Sequence, residues 1–313
     1  MLEIIDETNE TISEVKDTMI VTALLTSLMM LAGAAPATSL TPNTAQRSDF
    51  KERDEFNQTY QLSPGARVEV STIRGPVEIT TGDSATAEVR IIRSARSRAD
   101  LEYHKIEVKQ TGNSLVVRGV QEPEERRRDN IQVDHHVILK LPRSVDLSVT
   151  TISGGIKVGD VDGQVHVNSI SGPVNIHDVG GKLLVNSVSG NLEVRNLGAD
   201  ARVTSISGNL DLGQVNGLLD VSSVSGSVNV TVVSLSPQGI HINSVTGSIE
   251  IGFKSEVNAD FKAVGISGQV NLDLPGVTRD SESQLPNVRA RIGAGGTPIT
   301  ITSVTGSIRL IRA

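Results

Sequence analysis

A nine-residue unit repeats without insertion from residue 147 to residue 233, in the form apolar-x-apolar-x-x-apolar-x-Gly-x. Its first apolar slot holds Leu147, Ile156, Val165, Val174, Leu183, Leu192, Ala201, Leu210, Leu219 and Val228 in turn. The second slot lies two residues on (Val149, Val158, Val167), and the third lies three further (Ile152, Val161, Ile170, Val179) and continues to Val233. Residues two apart share one face of a strand. The third apolar residue breaks that parity and predicts a turn of the chain, with all three slots facing the core. The glycine two places later suits a corner that needs positive φ or close backbone approach. One such unit has nothing to bury its side chains against, but stacked units do, and a fixed short period is the signature of a solenoid.

The units alternate in kind. Odd units close on Thr151-Ile152-Ser153-Gly154, Ser169-Ile170-Ser171-Gly172, Ser187-Val188-Ser189-Gly190, Ser205-Ile206-Ser207-Gly208 and Ser223-Val224-Ser225-Gly226. Even units close on Asp160-Val161-Asp162-Gly163, Asp178-Val179-Gly180-Gly181, Asn196-Leu197-Gly198-Ala199 and Gln214-Val215-Asn216-Gly217. The full period is therefore eighteen residues, with two short strands and two unlike edges per coil. Like residues then stack on like at roughly 4.8 Å. The corner hydroxyls are expected to satisfy backbone groups at the turns. Only six of 313 residues are aromatic, which suits a core one side chain deep filled by Val, Ile and Leu.

The motif extends beyond the uninterrupted run. Ala66, Val68, Val70, Ile73 and Gly75, followed by Val77 and Ile79, predict a first coil. Residues 82–143 then form an excursion whose alternating segments, at 87–92, 105–110, 114–120 and 132–141, read as antiparallel strands. The motif returns at Thr246-Gly247 and Ser267-Gly268, and again at Thr305-Gly306 after a long loop over 275–298. That last coil, carrying Arg309 and Arg312, reads as a polar C-terminal cap. The domain organisation is thus an acidic leader plus an apolar segment over 1–37, a linker over 38–62, and one β-solenoid domain over 63–313. Within residues 19–35 the apolar run ends in small residues, like a secretory signal peptide, although no basic leader precedes it. Export to the periplasm, cell surface or exterior is expected. Uncleaved, the same run would be an anchor and the chain's one link to a membrane.

Chemistry-bearing residues are sparse. The absence of cysteine excludes disulfides, thiolate metal sites and cysteine nucleophiles. A formal net charge of −7 and a pI near 5.4 disfavour nucleic acid as a partner. Arg90, Arg93, Arg96 and Arg98 form a basic run that could face an anionic polysaccharide or lipid headgroup. The triplet Arg126-Arg127-Arg128 is balanced by neighbouring acids. His135 and His136 are adjacent in a strand, so they point to opposite faces and chelate poorly. No metal or cofactor is expected. Glycosidases of parallel β-helix fold need carboxylates on one shared face. Asp211 and Asp220 fall in successive units, hence on opposite faces of the coil.

The run from Val137 through Leu141-Pro142, Val145, Leu147 and Val149 to Gly154 carries a further signal, together with the recurrent Ser-Val/Ile-Ser-Gly and the closing Thr302-Ser303-Val304-Thr305-Gly306. In combination these motifs resemble a bacterial family of unknown function labelled "putative adhesin". The resemblance covers about residues 63–313. It implies an all-β, right-handed parallel β-solenoid at the cell envelope, without an agreed catalytic residue. The expected function is a non-catalytic scaffold presenting a long face to a cell-surface glycan or an envelope protein. The alternatives are a polysaccharide-acting enzyme and a self-associating structural solenoid.

Overall fold

The computed structural model describes residues 50–121, 133–265, 267–280 and 286–313. The signal-like segment 19–35, the first part of the expected linker and the triplet 126–128 lie outside these residues. Among the described residues, 25 strands form two parallel-dominated sheets, one of 13 strands and one of 12. Odd units build the first, here called the serine-edged sheet, and even units build the second.

The stacking follows the eighteen-residue period. Strand Val165–Ser171 pairs in parallel with Val145–Ser153 on one side and Leu183–Ser189 on the other. Val149, Val167, Val185, Val203, Val221, Ile242 and Ile301 form one column along the serine-edged sheet. Every member is fully buried. The second sheet repeats the arrangement with Val158, Ile176, Val194, Leu212, Val230, Ile251 and Leu310. Side chains from both sheets make one continuous core. Each buried Val, Ile or Leu contributes roughly 1.5–3 kcal/mol, so rows of them stabilise a narrow core that holds few rings.

The two kinds of corner differ, and here the expected inward placement of the third apolar slot fails for odd units. In even units that slot is buried, as in Val161, Val179, Leu197 and Val215. A register shift after Leu212 makes Val232, rather than Val233, the next member. In odd units the strand keeps strict alternation for two residues longer. The inward place therefore falls to the hydroxyl residue (Thr151, Ser169, Ser187, Ser205, Ser223, Ser244, Ser303), and the aliphatic residue turns outward. Ile170 is 50% exposed and Val304 is 56% exposed. Nor do the buried serines satisfy the backbone as expected: among the described residues, Oγ of Ser169, Ser187, Ser205, Ser223, Ser244 and Ser303 meets no hydrogen-bonding partner. Thr72 does donate to Thr151 Oγ1, at 3.3 Å. Small side chains fit where the two sheets converge on the corner.

The glycine that follows closes the corner. Gly190 has φ +131°, and a Cβ there would lie 2.1 Å from the carbonyl oxygen of Gly172 one coil earlier. Both the sign of φ and the approach of the coils exclude a side chain. Asx side chains clamp successive coils: Asp146 Oδ1 accepts from the Gln164 N–H at 2.9 Å, and Asn191 Oδ1 from the Asn209 N–H at 3.0 Å.

The ends depart from simple winding. In the region expected to be linker, Glu52–Gln61 forms a ten-residue edge strand antiparallel to Thr86–Ala95. It lacks apolar alternation because it buries neither face. Within the excursion, Ser114–Gln121 and Val133–Pro142 run antiparallel to their excursion neighbours but parallel to the first coil, outside which they stack. The first coil, Ala66–Arg74 with Val77–Gly82, is thus flanked on both sides. The other end mirrors this. Strand Ile308–Arg312, expected to be a cap, lies between Ile249–Phe253 and Val270–Asp273. The expected loop over 275–298 contains strands Val277–Arg279 and Val288–Ile292, which close that end by antiparallel pairing.

Candidate binding face

Three outward columns run along the corner side of the serine-edged sheet. The first is amide and hydroxyl: Ser71, Thr150, Asn168, Asn186, Thr204, Ser222, Asn243 and Thr302 stand in register over eight coils. Asn186 Nδ2 donates to Asn168 Oδ1 at 2.9 Å, so the amides form a ladder. The second column is the outturned aliphatic row of Ile152, Ile170, Val188, Ile206, Val224, Val245 and Val304. The third is Ser153, Ser171, Ser189, Ser207, Ser225, Thr246 and Thr305, all exposed. Gly154, Gly172, Gly190, Gly208, Gly226, Gly247 and Gly306 border it, each with φ between +123° and +143°. Gly268 does not share that conformation, but a Cβ there would meet the carbonyl oxygen of Gly306 at 1.9 Å, and Ser267 bridges to Thr305.

From the second coil on, this strip carries no formal charge; in the first coil Arg74 stands in register with Ser153. From 150–155 to 302–307, the corresponding six residues of all seven coils include no Asp, Glu, Lys, Arg or His, although 21% of the chain is charged. Seven coils span about 29 Å at the spacing of paired strands. Each side chain of the first column lies between two that pack inward, so the buried core fixes its place. An exposed aliphatic row of this length is uncommon on a water-facing surface, which makes the strip the candidate for contact with a partner.

The outer face of the second sheet is the opposite. Glu78, Lys157, Glu193, Asp211, Glu250 and Arg309 stand in one column along it, with ion pairs between coils such as Arg309 to Glu250 at 3.6 Å and Lys157 to Glu78 at 4.0 Å. At its corner Asp160, His177 and Asp178 bring ligand atoms within 4.8 Å of one another. Those atoms are already engaged. Arg143 lies 3.3 Å from Asp160, Arg195 contacts His177 Nε2, and Asn196 donates to Asp178 at 2.6 Å. A cation there would have to displace two guanidinium groups. Asp211 and Asp220 lie on different sheets and form no shared site.

The basic run does not form one patch. Arg90 and Arg93 lie on opposite faces of strand Thr86–Ala95, because they are an odd number of residues apart. Arg90 pairs with Glu55 at 2.7 Å. Arg93 pairs with Asp54 and donates to the carbonyls of Leu101 and His104 at 2.9 and 3.2 Å. The two guanidinium groups hold the Asp54 and Glu55 carboxyls below their ordinary range. Arg96 is half-buried, and Arg98 opens the short helix Arg98–Tyr103. Arg93 and Arg98 line a cleft of about 370 Å³ between that helix and the edge strand. His135 is buried, while His136 faces out, 3.6 Å from Glu78. Burial first, aided by the positive surroundings of His104 and Arg93, pushes the His135 imidazole down to about 4, against the pull of backbone hydrogen bonds at His104 and Arg74.

Two sheets of stacked parallel coils around one continuous core define a β-solenoid. Residues 66–310 match the Toastrack DUF4097 family, and the chain belongs to it. No functionally curated protein matches the chain. Among solved structures it is similar to a putative adhesin from Bacteroides fragilis, with 13% identity over 82% of this chain and 97% of that one, at a TM-score of 0.43. A putative cell adhesion protein from Clostridium sporogenes is similar at 10% identity over 84% and 100% of the two chains, with a TM-score of 0.24. A putative adhesin from Parabacteroides distasonis is similar at 10% identity over 82% and 97%, with a TM-score of 0.29. At this distance none of them speaks to what the present chain binds. No helix among the described residues is long and apolar enough to cross a membrane.

Proposed function

We propose that this protein is a non-catalytic binding scaffold, exported to the cell surface or beyond, whose working surface is the uncharged strip of the serine-edged sheet. Glycans of a cell surface or an envelope protein are its ligands. The observation that carries this reading is the strip itself: seven coils retain neutral amide, hydroxyl and aliphatic side chains outward, where charges would cost nothing in stability. Selection for solubility alone favours charge at such positions. Binding of the full chain to a glycan panel and to intact cells, with product analysis in parallel, tests it. Binding without turnover, lost when Thr204→Lys and Val188→Asp are combined, is the expected result. Turnover that disappears on Asp211→Asn or Asp220→Asn would instead make the protein an enzyme. Sequencing the mature N-terminus after cell fractionation tests export and separates cleavage after Ala34, Ala35 or Ala37 from retention of 19–35 as an anchor.

A further inference from the structure

Resting on that reading of the strip, we infer that its ligand is an uncharged, extended polysaccharide that lies along the stacking axis with one sugar residue per coil. Three features of the strip lead there. The first is electrostatic. Within the strip itself, from 150–155 to 302–307, a polyanion or a charged peptide would meet no counter-charge; Arg202 and Asp220, two residues before the strip on the same face, are spent on each other at 3.2 Å, so desolvating the ligand's charges would be uncompensated.

The second feature is chemical order across the strip. Each coil offers an amide or hydroxyl, then a branched aliphatic, then a hydroxyl. A pyranose ring offers the same sequence, hydroxyl groups at its rim and C–H groups on its face. The Asn168 and Asn186 amides spend one donor and one acceptor on each other, and each keeps hydrogen-bonding capacity to spare. The third feature is pitch. The same group recurs every coil, roughly 4.8 Å apart. That matches the advance of one sugar residue along an extended glycan. A peptide strand laid along the axis repeats its same-face side chains at about 6.6 Å and falls out of step within two coils. Without an aromatic platform each coil adds little affinity, so binding strength must come from many coils engaged at once.

The test is titration calorimetry of the full chain with neutral linear oligosaccharide series (cello-, chito-, xylo- and manno-oligosaccharides), from dimer to octamer, beside oligogalacturonates of matched length. Expected is affinity that rises with each added residue of one neutral series, with no measurable binding of the oligogalacturonates. Asn186→Glu and Val188→Asp, both at outward positions, should each lower that affinity at least tenfold with an unchanged urea midpoint. Glu193→Lys on the other sheet should leave it unaltered. Preference for the oligogalacturonates, affinity independent of length, or no binding to any neutral series overturns the inference. If in that case the two strip variants still abolish attachment to cells, the strip remains the working face and a protein is its partner. If they leave attachment intact, the reading of the strip falls as well.

Discussion

The serine-edged sheet and the second sheet share a core, a pitch and almost the same inward columns, yet their outer surfaces have nothing in common. One carries a neutral, partly aliphatic strip along its corner side, with a single inter-coil ion pair, Arg202–Asp220, beside it. The other is a field of paired charges. Because the inward columns are equivalent, the stability of the stack does not require this difference. It arises at the corners. A strand that alternates two residues further puts a hydroxyl inside and an Ile or Val outside, whereas a strand that turns earlier puts the aliphatic inside and leaves Asp, His and Arg at the rim.

The sharpest way to break the comparison is to place the same substitution at the same repeat position in both sheets. Val179→Asp buries an unpaired carboxyl and should cost about 4 kcal/mol. Ile170→Asp, its counterpart nine residues earlier and half exposed, should change stability by less than about 0.5 kcal/mol. Equal losses in urea unfolding would mean the two corners are alike after all. Next in size is Gly190→Ala, where a strained φ and a carbonyl in the way should together cost about 3 kcal/mol. Ala199→Gly, at the matching even corner, should cost about 1 kcal/mol or less.

A comparable effect should appear on acidification, and it belongs to the second sheet, which carries the buried His135. Its imidazole takes up a proton near 6.5 in the unfolded chain but only near 4 in the folded one. Above pH 6.5 neither state is protonated and nothing is lost. As pH falls from 6.5 to 4 the unfolded chain binds the proton first, and stability drops by up to about 3 kcal/mol. Below 4 the loss is complete. His135→Gln should flatten that part of the profile, and an unchanged slope would show that His135 is not the group responsible. A small effect is expected at Arg202→Asp. That change breaks the exposed pair with Asp220 (3.2 Å) and sets two acids side by side, for about 0.5–1 kcal/mol.

Much of this architecture is legible in the sequence, because a nine-residue period with Gly at its eighth place admits few folds. The candidate binding face is legible only in part. The charge-free segments at 150–155, 168–173 and 186–191 stand in plain view, but hydropathy assigns Ile152, Ile170 and Val188 to the core. Parity decides their direction, and parity depends on where a strand ends, which Ser-Ile-Ser does not announce. Strand Glu52–Gln61 leaves no trace for a different reason. Its partner is one long antiparallel ladder, and backbone hydrogen bonds are indifferent to side-chain pattern. The arginine run misleads because neighbours in sequence are taken for neighbours on a surface, and a pleated strand separates Arg90 from Arg93.

The strand that ends the chain, Ile308–Arg312, is held on both sides. Glu52–Gln61, at the other end of the described chain, is held on one. Tension applied at Ala313 would have to drag a strand lengthwise from between two neighbours, shearing two rows of bonds together. Tension applied at residue 50 would open one row bond by bond, like a zip. Of the two ends of the described chain, the one at residue 50 is therefore the first to give way.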